Sequence, residues 1–241
     1  MTTESATSLH PEPQGIDIAA KLNWLRAGVL GANDGIVSVA AVVVGVAGVT
    51  TNNAPILAAG MAALVGGAIS MALGEYVSVS SQSDSQRHLI AKEREELREQ
   101  PDEELNELVG LYRAKGLSED LATKVAEELT AHDALRAHLD IELGIDPDEI
   151  VSPWHAAFAS AISFLCGAVL PMLSILLFPE ALRVPLTFVV VLVALAITGT
   201  VGAWIGGGSR ARASVRVVIG GAAALAATFA LGSLLGTTGI A

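Results

Sequence analysis

The sequence has a single cysteine, Cys166, so no intrachain disulfide can form; lying in an apolar run, it reads as a small buried side chain. Basic residues are scarce as well. Fourteen Lys and Arg stand against 25 Asp and Glu, a net charge of −11 that argues against nucleic acid as a partner. None of the five histidines has a glutamate three residues before it: those positions hold Thr7, Ser85, Leu129, Leu135 and Ser152. The Glu-x-x-His pattern of ferritin-like di-iron sites is therefore missing. The first twenty residues carry Glu4, Glu12 and Asp17 and lack a basic start followed by an apolar core, so no cleaved secretory signal is expected.

The last scarcity is charge inside the long apolar runs, and it fixes the class. Apolar residues make up 52% of the chain, yet 19 of its 25 acids fall between Asp84 and Glu149. Five runs, about 27–49, 54–80, 154–178, 184–206 and 217–237, are long enough to span a bilayer as helices. As core helices of a soluble domain they would leave no polar outer face. Lys21 and Arg26 precede the first run, and Arg210, Arg212 and Arg216 separate the fourth from the fifth. The 50–53 turn has no charge and the only basic residue at 179–183 is Arg183. An N-terminus and acidic insert in the cytosol, with the C-terminus on the opposite side, satisfy this asymmetry.

Three helices are expected in the insert, over RHLIAKEREELREQ, DEELNELVGLYRAKG and SEDLATKVAEELTAHDALRAHLDIELG. Pro101 suits a first helical turn, Gly116 and Gly144 suit C-terminal caps, and Ser118 suits an N-cap. Leucines at 105, 108, 111, 121, 129, 135 and 139, with Val125, supply the packing stripes. So short a unit is expected to lean on a second copy. Glu93/Glu96 and Glu104/Glu107 are E-x-x-E pairs, each able to offer two carboxylates from one helix face. His132, His138 and Glu142 come next, the last two on one face. Carboxylate with imidazole suits iron(II), manganese or zinc better than calcium. Solvation of an exposed charged helix, with Lys92, Arg94 and Arg98 interleaved, explains the same glutamates as well.

Asp34 and Glu75 are the only acids inside the long apolar runs, and a charge at such depth costs roughly 2.5 to 3.5 kcal/mol. By helical rise, Asp34 lies about 10 Å in from the start of its run and Glu75 about 8 Å in from the end of the next, so the two are level. Met71 is one turn deeper than Glu75 and adds a soft donor, which favours a transition metal. Ordinary packing for Met71, and interhelical hydrogen bonding of Asp34 and Glu75 with Asn33 and Tyr76 as partners, are the structural alternatives. Gly31 and Gly35 flank Asp34 while Gly66, Gly67 and Gly74 line the second run, permitting either tight packing or a dimer seam. An unbroken helix from the second run into the insert would put Glu75 and Glu93 on one face, although Ser78 to Ser85 is a weak helical stretch. Two carboxylates at one depth repel each other when both are ionised. An empty pair is expected to hold a proton that a divalent cation displaces.

The segments NDGIVS around Asp34 and AISMALGEYVSVSSQSD around Met71 and Glu75, with the tandem glutamate pairs closed by ELG at Glu142, resemble the vacuolar iron transporter family, over about Leu22 to Ile240. The resemblance implies an all-α membrane protein: five transmembrane helices, a three-helix acidic cytosolic insert between helices 2 and 3, and a homodimer. It implies export of divalent iron, often manganese, from the cytosol in exchange for protons. Asp34, Met71 and Glu75 would form the transport site at the dimer interface, and Glu93, Glu96, Glu104, Glu107 and Glu142 would collect metal beforehand. Where that family commonly has two methionines before the last glutamate, this chain has His138 and Leu139; His138 can replace a ligand and Leu139 cannot. The chain then divides into an N-terminal cytosolic tail (1–21), transmembrane helices 1–2 (22–80), a cytosolic metal-binding domain (81–150) and transmembrane helices 3–5 (151–241). Iron(II), manganese or zinc is substrate rather than resident cofactor, and no enzyme activity is expected. A membrane-bound di-iron ferroxidase and a metal sensor without transport are the competing readings. Small size and richness in Ala, Gly and Val fit a bacterial plasma membrane.

Overall fold

A computed structural model describes residues 15–238, with side chains of 15–27 and of Glu149 excepted. Most of the expected 1–21 tail lies outside the described residues, and helix is present from Gly15 onward. Among the described residues there are seven α-helices and no strand: α1 Gly15–Val49, α2 Asn53–Glu99, α3 Pro101–Ala114, α4 Glu119–His138, α5 Pro153–Leu177, α6 Arg183–Ile205 and α7 Arg210–Thr237. A π-helical turn, Leu139–Leu143, comes directly after α4. The five apolar runs all lie in helices long and apolar enough to cross a membrane. The chain divides into two compact units, one running through Leu73 and resuming at Ala157, the other Gly74–Ala156.

In the first unit α1 is the centre. Ile36, Val39, Ala40, Val43 and Val44 are buried against Phe164, Ala168, Met172 and Ile175 of α5, Val191 and Leu195 of α6 and Leu225 of α7. Outward positions are apolar as well: Met61, Ile69, Phe158, Val193, Ile197 and Ile219 are exposed, and so is Cys166, contrary to the burial expected of it. An apolar surface around an apolar core is what lipid as solvent requires, because hydrocarbon offers no hydrogen bonds and helices satisfy their own backbone. Cohesion then rests on close packing and on interhelical polar contacts. A Cβ on Gly35 would strike the carbonyl oxygen of Phe164, and one on Gly232 would strike that of Gly45. Gly31 and Gly35 thus serve tight packing of α1 on α5 within one chain, whereas Gly66 has open space around it.

Polar ties fix the ends of this unit. Thr198 of α6 donates to the side-chain oxygen of Asn33 on α1. Arg183, buried at the start of α6, reaches back to the α1–α2 turn, donating to Thr51 O at 3.1 Å and Asn53 Oδ1 at 2.7 Å. Asn52 caps α2 by accepting from Ala54 N at 3.0 Å.

The second unit begins where α2 continues without interruption through Ser78–Ser85, with Ser85 Oγ bonded to Ser81 O at 2.9 Å, one turn back. Its two ends are fastened across 68 residues by Ser83 Oγ donating to Val151 O at 3.1 Å. Tyr76 and Trp154 also pack there, with ring centroids 4.7 Å apart. Pro101 opens α3, Ser118 holds the N-cap position of α4, and Gly116 and Gly144 take left-handed φ values of 101° and 60°, as their residue types demand. The continuous third helix expected over 118–144 is instead broken: Asp133 has extended backbone, φ −161° and ψ 93°.

Gly35→Ala should lower the thermal midpoint of the detergent-purified protein, since overpacking against backbone costs about 1–3 kcal/mol. Gly66→Ala should leave it unchanged or raise it, because Ala gains up to about 1 kcal/mol over Gly in a helix. Equal midpoints for the two variants would contradict the packing described.

Candidate metal centre

Within the second unit one side chain from each of three helices converges. Glu93 comes from the end of α2, Glu104 from the first turns of α3 and His138 from the end of α4, and each offers a ligand atom within 4.8 Å of the others. All three are buried, His138 completely and Glu93 to 4% exposure. His138 Nδ1 lies 3.1 Å from Glu93 Oε1 and 3.7 Å from Glu104 Oε2. Glu142, from the π-helical turn, brings Oε2 to 3.4 Å from the same nitrogen. Three carboxylates thus surround one imidazole nitrogen. Glu93 Oε1 makes no hydrogen bond despite its proximity, and His138 Nε2 is buried without a partner among the described residues.

Four basic residues of this unit pair with other acids. Lys92 pairs with Glu96 at 2.7 Å, Arg98 with Glu95 and Glu99, Arg113 with Glu119, and Arg136 with Asp146 and Asp148. Each E-x-x-E pair is therefore split: Glu93 and Glu104 turn inward, Glu96 is engaged by Lys92, and Glu107 is exposed. Solvation holds for the outer members and fails for the inner ones. His132 is exposed, ahead of the break at Asp133.

The consequence is electrostatic. Burial first, then the negative charge of Glu142, pushes the Glu93 carboxyl up to about 7, with His138 opposing. Burial likewise raises Glu104, followed by the charge of Glu107. Such a group must hold a proton or a cation to be comfortable out of water. Oxygen donors around one imidazole at these separations can close on a first-row divalent ion, whose bonds to such ligands are about 2.0–2.2 Å.

The intramembrane candidates are distributed between the units, Asp34 and Met71 in the first and Glu75 in the second. Asp34 accepts a hydrogen bond from Ser38 Oγ, one turn on along α1, at 2.8 Å. Met71 packs on the apolar core of its unit, the ordinary role for a methionine. Glu75 is half-buried. Asn33, named from the sequence as a hydrogen-bonding residue, accepts from Thr198 of α6, a partner that sequence reasoning did not single out.

The VIT family model matches residues 25–233. The chain belongs to the VIT family. A protein named vacuolar iron transporter from Acanthamoeba castellanii is 43% identical over 218 residues, 90% of this chain and 80% of its own length. Vacuolar iron transporter homolog 5 of Oryza sativa subsp. japonica is 38% identical over 226 residues, 93% and 86% of the two chains. Vacuolar iron transporter homolog 2 of Arabidopsis thaliana is 32% identical over 233 residues, 96% and 94%. VIT family membership and five spanning helices make this an integral membrane protein, and its relatives are named as transporters rather than enzymes.

A carboxyl raised in the native state holds a proton that the unfolded chain, near 4.5, releases. Its stabilising effect is complete below the unfolded value and is lost as pH rises through about 7. In the presence of a chelator, the thermal midpoint of this VIT family protein should fall between about pH 5 and pH 8. Glu93→Gln should flatten that slope, and a slope unchanged by the substitution would remove Glu93 as its source.

Proposed function

We propose that this protein exports divalent iron, and manganese, from the cytosol in exchange for protons. The observation that carries the reading is the buried cluster of Glu93, Glu104 and His138, which faces Glu142 and has no lysine or arginine among its ion pairs within the described residues. Such a cluster takes up a divalent cation in place of a proton. Iron as the cargo is taken from the relatives named vacuolar iron transporter.

In this reading the second unit is a cytosolic receiving domain over residues 81–150, with Glu93, Glu104, His138 and Glu142 as its inner ligands. Glu96 and Glu107 stand at its rim. The transport site is Asp34, Met71 and Glu75, in the membrane. The ion displaces the proton that these carboxylates share, and its release on the far side returns it. The orientation is set by the basic residues. Lys21, Arg26, Arg210, Arg212 and Arg216 lie on the cytosolic side, while Arg183 is consumed by its bonds to Thr51 and Asn53 and is not a free flanking charge. The C-terminus is then on the opposite side, two copies form the working dimer, and the plasma membrane of a bacterium is the setting. Zinc fits the same donors and is the control metal.

Proteoliposomes loaded with a metal-sensitive dye test this directly. Iron(II) and manganese should enter faster when a pH gradient drives them, and Asp34→Asn should slow entry by at least about tenfold. Transport of iron(II) and protons by Asp34→Asn at the wild-type rate would sink the scheme. Metal binding with no transport would favour a sensor, and oxygen-dependent oxidation of iron(II) by the purified protein would favour the di-iron enzyme.

A further inference from the structure

We infer that Asp133, an exposed residue that contributes no ligand, positions His138 in the metal cluster by breaking α4; the inference rests on the metal-binding reading of that cluster. The buried face of the first part of α4 is marked by Ala122 and Ala126, both fully buried. His138 is twelve residues beyond Ala126, so in an uninterrupted helix it would sit roughly 120° around from Ala126 and roughly 160° from Ala122. Leu139 would be about 100° further round than His138. Yet His138 and Leu139 are both completely buried. The rotation that makes this possible occurs at Asp133, where extended backbone interrupts the helix.

Asp133 also starts the helix on the far side of the break. Its Oδ1 accepts a hydrogen bond from Arg136 N at 3.0 Å, the contact of an N-cap with the third residue of a new helix. The short helix so begun carries His138 and passes into the π-helical turn that carries Glu142. Gly144, at φ 60°, ends the turn with its N–H bonded to Leu139 O, and Ile145 N bonds to the same oxygen at 2.8 Å. The side chain of Arg136 reaches Asp148 at 3.4 Å and Asp146 at 4.0 Å, tying the beginning of the segment to its end. Leu139 and Ile145 pack on Ile90 of α2, one turn before Glu93. Residues 133–148 therefore form one fastened element, and its orientation begins with the Asp133 carboxylate.

If Asp133 sets the ring of His138, it sets how much nitrogen the site offers and hence which cations it prefers. Imidazole favours cobalt(II) and zinc over manganese(II), whereas carboxylates alone suit manganese. The test uses the full-length purified protein, titrated with cobalt(II) and with manganese(II), with the cobalt visible absorption bands as the readout. Asp133→Ala should weaken cobalt binding by about 10–100-fold, the range for residues that orient a ligand, and manganese binding less. Its cobalt bands should move toward those of His138→Ala, and adding Asp133→Ala to His138→Ala should cost little more. Asp133→Asn, which retains the cap, should behave as wild type. Wild-type affinity and spectrum in Asp133→Ala would overturn the inference, and so would a loss in a folded Asp133→Asn as large as that in His138→Ala. Failure of the wild-type protein to bind cobalt, or a wild-type spectrum in His138→Ala, would overturn the metal reading itself and this inference with it.

Discussion

A carboxylate taken out of water must be protonated, paired or bound to a cation, and Glu93 is taken out of water by three elements at once. Its own helix, the first turn of α3 and the end of α4 leave it 4% exposed with two other carboxylates facing the same imidazole nitrogen. Had Lys92 reached inward, the cluster would be an ordinary buried salt bridge. Lys92 turns outward to Glu96 instead. The small apolar cluster of Ile90, Leu139 and Ile145 holds the arrangement shut from beside, since Ile90 is one turn from Glu93 and Leu139 adjoins His138. The second unit thus gathers carboxyl groups where ionisation is least comfortable, which marks the cluster as a candidate functional site.

The first unit solves a different problem with different means. Apolar burial gives little preference for helix against helix when the solvent is lipid, so contact distance and hydrogen bonds decide the packing. Phe164 meets α1 through Gly35 with no side chain between the backbones, and the α1–α7 contact uses Gly45 and Gly232 in the same way. Asn33 joined to Thr198 adds a directional tie beside Asp34, whose carboxylate is oriented by Ser38. Arg183 does comparable work at the end of the unit, where a guanidinium closes one turn onto another. Rigid helices placed this way give an intramembrane carboxylate a fixed address.

The range of the forces involved decided how much of this was legible in the sequence. The five spans were readable because each depends on the composition of one continuous stretch. Pro101, Ser118, Gly116 and Gly144 were readable because caps are local chemistry. The tandem glutamates were readable as candidates, but which of each pair turns inward depends on α2, α3 and α4 together, and spacing within one helix does not carry that information. The break at Asp133 lay between. Asp is a good N-cap, and Asp133 stands three residues before Arg136 ahead of an apolar pair, yet a capping residue inside a strongly helical run is outweighed by the propensities around it until tertiary packing rewards the rotation. The reward here is the burial of His138 and Leu139 together.

The donor set of the proposed receiving site also bears on how tightly it can hold an ion. With all three carboxylates ionised around a neutral imidazole, a divalent ion would leave one negative charge uncompensated. A protein that passes its cargo on requires binding favourable enough to load and weak enough to leave. Burial strengthens the attraction of Glu93 and Glu104 for an ion, but the same burial raises both carboxyls, Glu93 to about 7, so an ion would compete there with protons. That competition moderates an affinity the geometry alone would make excessive. Glu142 has 27% of its side chain exposed, whereas His138 is fully buried and Glu93 nearly so, so in the proposed site Glu142 would be the donor nearest to solvent. In that proposed site the buried donors would form the inner face and Glu142 the outer one.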